Sequence, residues 1–204
     1  MLFRSAALSD NKASFTAKLC QMVKLTRNGK QVKMSKRSGE FITLREVIDE
    51  VGSDSIRFMM LYRKNEAPLE FDFTKVTEQS KDNQVFYVQY AHARISSVIS
   101  KLNENNFSHM PSNFENIDFK LIDNKHELDL VKKIAYWNKT IESATNLHEP
   151  HRIAYYLYEL SSVFHSLWSQ GKIDPNLKFI IPNNETLTFA RIGLLTLTQR
   201  AIKS

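Results

Sequence analysis

Cysteine occurs once in the 204 residues, at Cys20. No internal disulfide can therefore form, and a reducing compartment is expected. Glycine and proline number five each, which disfavours an all-β sandwich with its many turns. No run approaches the ~20 apolar residues of a membrane span. The first residues, MLFRSAALSDNKAS, lack the sustained apolar centre of a secretory leader. The lone cysteine and six scattered histidines show no ligand spacing, so no metal site is expected. What is present is ordinary for a globular chain: 42% hydrophobic and 25% charged residues. These features point to a cytoplasmic, mainly helical protein without a membrane partner.

The formal net charge is +6, unevenly spread. Residues 1–37 carry nine Lys or Arg and one acid, Asp10, a local charge of +8; the remainder sums to −2. The basicity thus belongs to one segment. Concentrated positive charge suits a polyanion such as phosphate, nucleotide or nucleic acid, or else a solvated terminus.

Short alternating runs, MVKLT and KQVKM, flank Arg27-Asn28-Gly29-Lys30. Asn-Gly between such runs signals a β-hairpin over 22–33. Thr43 and Glu46 have capping-box spacing, and Gly52 can end the helix they open. A second short helix is expected over 54–64. Leu69, Phe71 and Phe73 alternate with acids and read as extended. Beyond Thr74 the periodicity turns helical. Val85, Val88, Ile95, Ile99 and Leu102 suggest a helix over 75–103. Leu130, Val131, Ile134, Trp137 and Ile141 suggest another from near Asp123. Ile153 to Leu167 make a third, entered at Pro150 and ended by Gly171, and Asn184 caps a fourth. The expected layout is a small α/β piece over 1–73 and a helix bundle over 74–204.

Directly after the predicted hairpin lies Lys33-Met34-Ser35-Lys36-Arg37-Ser38-Gly39. By average composition, Lys-Met-Ser-Lys arises by chance in roughly one chain of this length in a thousand. It resembles the KMSKS signature of class I aminoacyl-tRNA synthetases, with Arg37 where the commonest form has Ser. Adenylate formation attacks the α-phosphate of ATP and expels pyrophosphate. Positioned ammonium groups stabilise the charge that builds on the phosphate oxygens in the transition state. By this resemblance Lys36 makes the main transition-state contact, Lys33 and Ser35 support it, and Lys33, Met34, Ser35 and Lys36 together form the ATP contact.

The following order extends the likeness. Gly52-x-Asp54-x-x-Arg57-Phe58, Arg63-Lys64, Leu69-Glu70-Phe71-Asp72 and then Phe86-Tyr87-Val88-Gln89-Tyr90-Ala91-His92-Ala93-Arg94 resemble the arginyl-tRNA synthetase family. Gln84 stands where that family usually has Pro. The likeness covers about residues 14–204. It implies a remnant of the class I catalytic domain (hairpin, KMSK loop, short helices) over 1–73. A helical DALR-type anticodon-binding domain would follow over 74–204. The implied parent activity is ATP-dependent attachment of arginine to its tRNA, with Mg²⁺ carried on the ATP, in a cytoplasmic, monomeric ligase.

None of the six histidines lies in a HIGH-type signature, and no nucleotide-binding half is evident. The expectation is a C-terminal portion of the enzyme, dependent on the N-terminal catalytic half and inactive alone. An anticodon loop is single-stranded RNA, read by stacking on aromatic rings and by Lys or Arg on phosphates. Tyr87, Tyr90 and Arg94 are candidates, Tyr90 and Arg94 being one helical turn apart. Lys132 and Lys133, with Lys139, are candidates for a phosphate path. The competing readings of these residues are helix packing for the aromatics and a solvated face for the lysines. Two other functions stay open: a fragment of another class I synthetase, and a non-catalytic RNA-binding or interaction module.

Overall fold

A computed structural model describes residues 17–32, 34, 39, 41–104 and 114–203. The hairpin forms as β1 (Val23–Arg27) and β2 (Lys30–Gln31), antiparallel with Arg27 opposite Lys30. Asn28 and Gly29 take φ of 52° and 73°. Two consecutive left-handed residues match the right-handed strand twist, which is why Asn-Gly suits this turn.

Thr43 and Glu46 close a full capping box at the start of α1 (Leu44–Val51). Thr43 Oγ1 accepts from the Glu46 amide at 3.2 Å, and Glu46 Oε2 accepts from the Thr43 amide at 2.6 Å. Gly52, at φ 83°, separates α1 from α2 (Ser53–Leu61). Then comes β3 (Leu69–Asp72), which pairs parallel with β1 from Val23–Leu69 to Thr26–Asp72. The sheet order is β2-β1-β3.

Phe73, expected to be extended, instead opens the short helix α3 (Phe73–Thr77). Asp72 causes the change. Its Oδ1 accepts from the Thr74 amide at 2.9 Å, capping α3, while Oδ2 accepts from the Gly29 amide at 3.0 Å. Burial raises the Asp72 carboxyl, but donors from Gly29, Thr74, Lys75 and Thr26 outweigh it and hold the group below its ordinary value. Val47, Val51, Ile56, Phe71, Phe73 and Val76 form the small core of this piece. Leu19, Met22, Phe41 and Leu44 stay exposed on it.

The single helix expected over 75–103 is interrupted. After α3 the chain breaks, and α4 runs Gln84–Glu104. Buried Asn83 accounts for both ends: Nδ2 donates to the Val76 and Glu78 carbonyls at 2.8 Å, and Oδ1 accepts from Val85 at 3.1 Å. Residues 114–122 supply two 3₁₀ turns, Phe114–Asn116 and Phe119–Leu121.

The next expected helix is also two, α5 (Lys125–Ala135) and α6 (Trp137–Leu147). They meet at Tyr136, whose amide is shared between the Lys132 and Lys133 carbonyls at 3.2 Å. Leu130 is fully buried, whereas Val131 and Ile141 are exposed, so the presumed stripe does not share one face.

Helix α7 (His151–Ile173) follows Pro150 and runs past Gly171. That glycine serves close approach rather than termination: a Cβ there would lie 2.9 Å from the Leu177 carbonyl oxygen. Asn184 caps α8 (Glu185–Lys203), its Oδ1 accepting from the Leu187 amide at 3.0 Å. Ile192, Gly193, Leu194 and Leu195 are consecutively buried, as in a helix enclosed on all sides. Around it pack Ile95, Leu130, Leu160, Phe164 and Leu167. The mainly helical expectation, with a small α/β piece beside a bundle, holds.

Inside the bundle, Arg191 Nε donates to Glu127 Oε1 at 2.6 Å, both side chains being almost fully buried. Arg191 Nη1 also donates to the Asn176 and Lys178 carbonyls at 2.6 and 2.7 Å. The pair joins α5, α8 and the turn at Pro175–Leu177. The α/β piece meets the bundle through Tyr62, whose ring lies 4.8 Å from that of Tyr155 and 6.2 Å from that of Tyr158 on α7.

Candidate nucleic-acid interface

Helix α4 presents Phe86, Tyr90 and Arg94 at intervals of four, so they line one face. The Phe86 and Tyr90 rings stack at 5.6 Å, only 12° from parallel. The Arg94 guanidinium carbon sits 4.1 Å from the Tyr90 ring centre and 4.9 Å from that of Trp168 on α7. A planar cation is thus held between two aromatic rings. Tyr90 is 40% exposed, so the stack reaches solvent.

Trp168 also lines an open cavity of about 360 Å³. Trp168 and Phe179 wall it, their ring centres 6.0 Å apart. Lys101, Lys172 and Lys178 stand at its rim, and Val98 contributes a buried apolar side chain. The turn that carries Lys178 and Phe179 is held by Arg191 through the Lys178 carbonyl. Stacked rings, a fixed guanidinium and an apolar cavity rimmed with lysines can take flat, apolar-faced, phosphate-bearing groups.

The expected RNA contacts divide. Tyr87, Tyr90 and Arg94 come together on the α4–α7 seam. Tyr87 turns inward, its ring 4.4 Å from that of His165 and 5.3 Å from that of Tyr158. Lys132 and Lys133 lie on α5, along the α5–α7 seam, apart from the other three. Lys133 pairs with Glu159 and lies over the Tyr156 ring, and Lys132 stands 3.8 Å from Asp129. Tyr156 is buried, its hydroxyl pushed up to about 12 and donating to the Lys133 carbonyl at 3.0 Å. Lys133, Lys139, Arg152, Tyr136 and Tyr155 border a second cleft of about 290 Å³ there.

Of the expected ATP contacts, Lys33, Ser35 and Lys36 lie outside the described residues, as does Arg37. Met34 is placed and is exposed just after the hairpin. Gly39, at φ 74°, marks the far side of the motif with a backbone angle that favours glycine. Among the described residues, no His, Cys, Asp or Glu cluster could hold a metal ion. No described helix is long and apolar enough to cross a membrane.

Sequence reasoning passed over His165, Lys172, Lys178 and Phe179. The available signal was His165 itself, a polar residue within the apolar stripe that includes Leu160, Phe164 and Leu167.

A helix bundle joined to the edge of a small α/β piece thus carries an aromatic and basic seam between α4 and α7. The DALR anticodon binding domain profile matches residues 88–204, more than half of the chain, and the chain belongs to that family. The curated relatives it resembles are arginine–tRNA ligases. The chain is 54% identical to that of Rhizobium etli over 199 residues, covering 97% of this chain and 34% of the relative. It is 56% identical to that of Bartonella bacilliformis over 190 residues, covering 93% and 32%. The chain therefore spans about a third of their length. A crystal structure from Campylobacter jejuni, assigned as an arginyl-tRNA synthetase, superposes with a TM-score of 0.68 at 27% identity, covering 91% of this chain and 38% of that one. Thermus thermophilus arginyl-tRNA synthetase shares the fold, with a TM-score of 0.61 at 18% identity, covering 87% and 32%. The resemblance first read from Lys33–Gly39 and Phe86–Arg94 is thereby borne out.

Proposed function

We propose that the chain binds the anticodon loop of an arginine tRNA along the α4–α7 seam and serves ATP-dependent arginylation of that tRNA. The observation that carries this reading is the Arg94 guanidinium between Tyr90 and Trp168, beside an open, lysine-rimmed cavity. One splayed base stacks on the exposed Tyr90–Arg94 surface, and another enters the cavity against Trp168 and Phe179. Lys172 and Lys178 meet the phosphates, with Lys132 and Lys133 on a secondary path. Tyr87 supports the seam from behind. Base stacking on an aromatic side chain is worth about 1–3 kcal/mol.

The division into an α/β piece and a bundle belongs to the same proposal; α3, whose Phe73 and Val76 join the core of the α/β piece, moves the boundary from 73/74 to the break before α4. In the α/β piece, Lys36, with Lys33 and Ser35, stabilises the charge that develops on the ATP phosphates, and Met34 belongs to the same loop. Mg²⁺ accompanies the ATP. Adenylate formation needs the remaining two-thirds of the relatives' length, and the protein works as a cytoplasmic monomer. The chain alone is expected to give no arginine-dependent exchange of pyrophosphate into ATP.

Titration of labelled arginine tRNA with the wild-type chain, Tyr90→Ala and Arg94→Ala tests the RNA assignment. Each single variant should weaken binding about tenfold while circular dichroism shows an intact fold. Lys132→Ala with Lys133→Ala should weaken it less and flatten the salt dependence. Undiminished binding by both seam variants would refute the assignment.

A further inference from the structure

His165 lies behind the Arg94 slot and is only 6% exposed. Its two ring nitrogens have different partners. Nε2 is 3.1 Å from the Tyr87 carbonyl oxygen, and Nδ1 is 3.0 Å from Arg94 Nη1. A carbonyl oxygen can only accept and a guanidinium can only donate. The hydrogen must therefore sit on Nε2, and bare Nδ1 must accept from Arg94. Both bonds form together only in the neutral imidazole.

The surroundings reinforce this state. The Tyr87, Tyr90 and Phe164 rings lie 4.4, 5.7 and 5.4 Å from the imidazole. Arg94 and the two tyrosines face it from α4. On α7 itself, Phe164 packs against it, and Ser169 Oγ donates to its main-chain carbonyl. Among the described residues, no acid from α2, α5, α6 or α8 reaches the ring to favour its charged form. Burial, opposed by the Tyr87 carbonyl and aided by Arg94, keeps its proton affinity below that of an ordinary histidine.

We propose that His165 is a positioning residue that fixes the Arg94 guanidinium between Tyr90 and Trp168 for stacking on an RNA base, and that protonation of its ring releases Arg94 and weakens RNA binding. The inference rests on the reading of the seam as an RNA site. Protonated Nδ1 carries a hydrogen aimed at an already cationic donor. The hydrogen bond is lost and replaced by repulsion between like charges. A freed arginine samples several rotamers and must be ordered again when RNA binds. His165 touches no RNA in this scheme and acts through Arg94.

The test measures binding of the full chain to labelled arginine tRNA between pH 5 and 8 at fixed salt. Wild type should lose about tenfold in affinity on acidification. The loss should follow the His165 titration read by ¹⁵N NMR in the free protein. His165→Asn offers an acceptor near the Nδ1 position without a titrating group, and should bind well with a flat profile. His165→Phe fills the ring volume without an acceptor, and should bind weakly with a flat profile and an intact fold by circular dichroism. Arg94→Ala should also lose the pH dependence. Should His165→Phe match wild type while Arg94→Ala binds weakly, the positioning role is overturned and the RNA reading survives. Failure of wild type to bind any tRNA at pH 7.5 would overturn the RNA reading. In that event, NMR of the free protein still decides the geometry: a hydrogen on Nδ1 at neutral pH would overturn the His165–Arg94 bond itself.

Discussion

Glu127 and Arg191 show what a single buried charge must have around it. Arg191 meets one carboxylate oxygen and two main-chain carbonyls, so its charge is matched and its donors are largely used. Glu127 Oε2 has no partner among the described residues. Removing either member leaves the other charged and dry, which costs about 3–5 kcal/mol. Arg191→Ala or Glu127→Ala should lower the melting temperature by about 6–20 °C, at about 2–4 °C per kcal/mol in a chain of this size. Replacing both with apolar residues of similar volume should recover part of that loss, because no lone buried charge remains. Scanning calorimetry on the two single variants and the double variant checks the ordering. Neither residue was legible in the sequence. Their partnership spans 64 positions, and a charge within an apolar stripe looks like any solvated side chain until the opposite helix is known. Tyr90 and Arg94 were legible because their relation is local: one helical turn puts them on one face. Trp168, the other half of their slot, comes from another helix, so local spacing could not supply it.

At the scale of elements, local chemistry was the best guide. The Asn-Gly hairpin, the Thr43–Glu46 capping box and the Asn184 cap form as their sequences suggest, since each depends on residues within a turn. Breaks inside long helical patterns were less visible. Asn83 both ends α3 and starts α4 with one buried amide. Asn83→Ala should cost about 1–3 kcal/mol by leaving those main-chain groups unpaired, with amide exchange rising first over 76–86. Gly171 reads as a stop signal, yet its work is steric. Gly171→Ala forces a methyl against the Leu177 carbonyl and must shift the turn that carries Lys178 and Phe179. It should cost about 1–3 kcal/mol and weaken RNA binding through the cavity, whereas Asn83→Ala should leave binding nearly unchanged. Denaturant melts beside RNA titrations separate the two effects.

At the scale of the molecule, three histidines among the described residues sit where their charged forms are disfavoured. His92, His151 and His165 all have proton affinities lowered chiefly by burial, with Lys203 adding to the effect at His92 and Arg94 at His165. In each case the unfolded chain binds the proton more readily than the folded one. Their contribution is therefore complete above the ordinary histidine value of 6.5 and is lost as pH falls below it through the folded values. Thermal stability should decline between pH 7 and 5, and replacing His151 with a neutral residue of similar size should blunt that decline. The parallel β1–β3 pairing holds the α/β piece together, and the contact of Tyr62 with Tyr155 and Tyr158 ties it to the bundle. Both were hidden in the sequence, because a strand's partner and a ring's neighbour are settled only when distant segments meet. The role proposed for this assembly is recognition of the arginine anticodon. Its most direct test is binding of the chain, at one salt concentration, to arginine tRNA, to the same tRNA with an altered anticodon, and to an unrelated tRNA. Binding to the first should be tighter, by about tenfold or more for each lost base contact. Equal, salt-sensitive binding to all three would contradict it and reduce the interaction to the basic segment over residues 1–37.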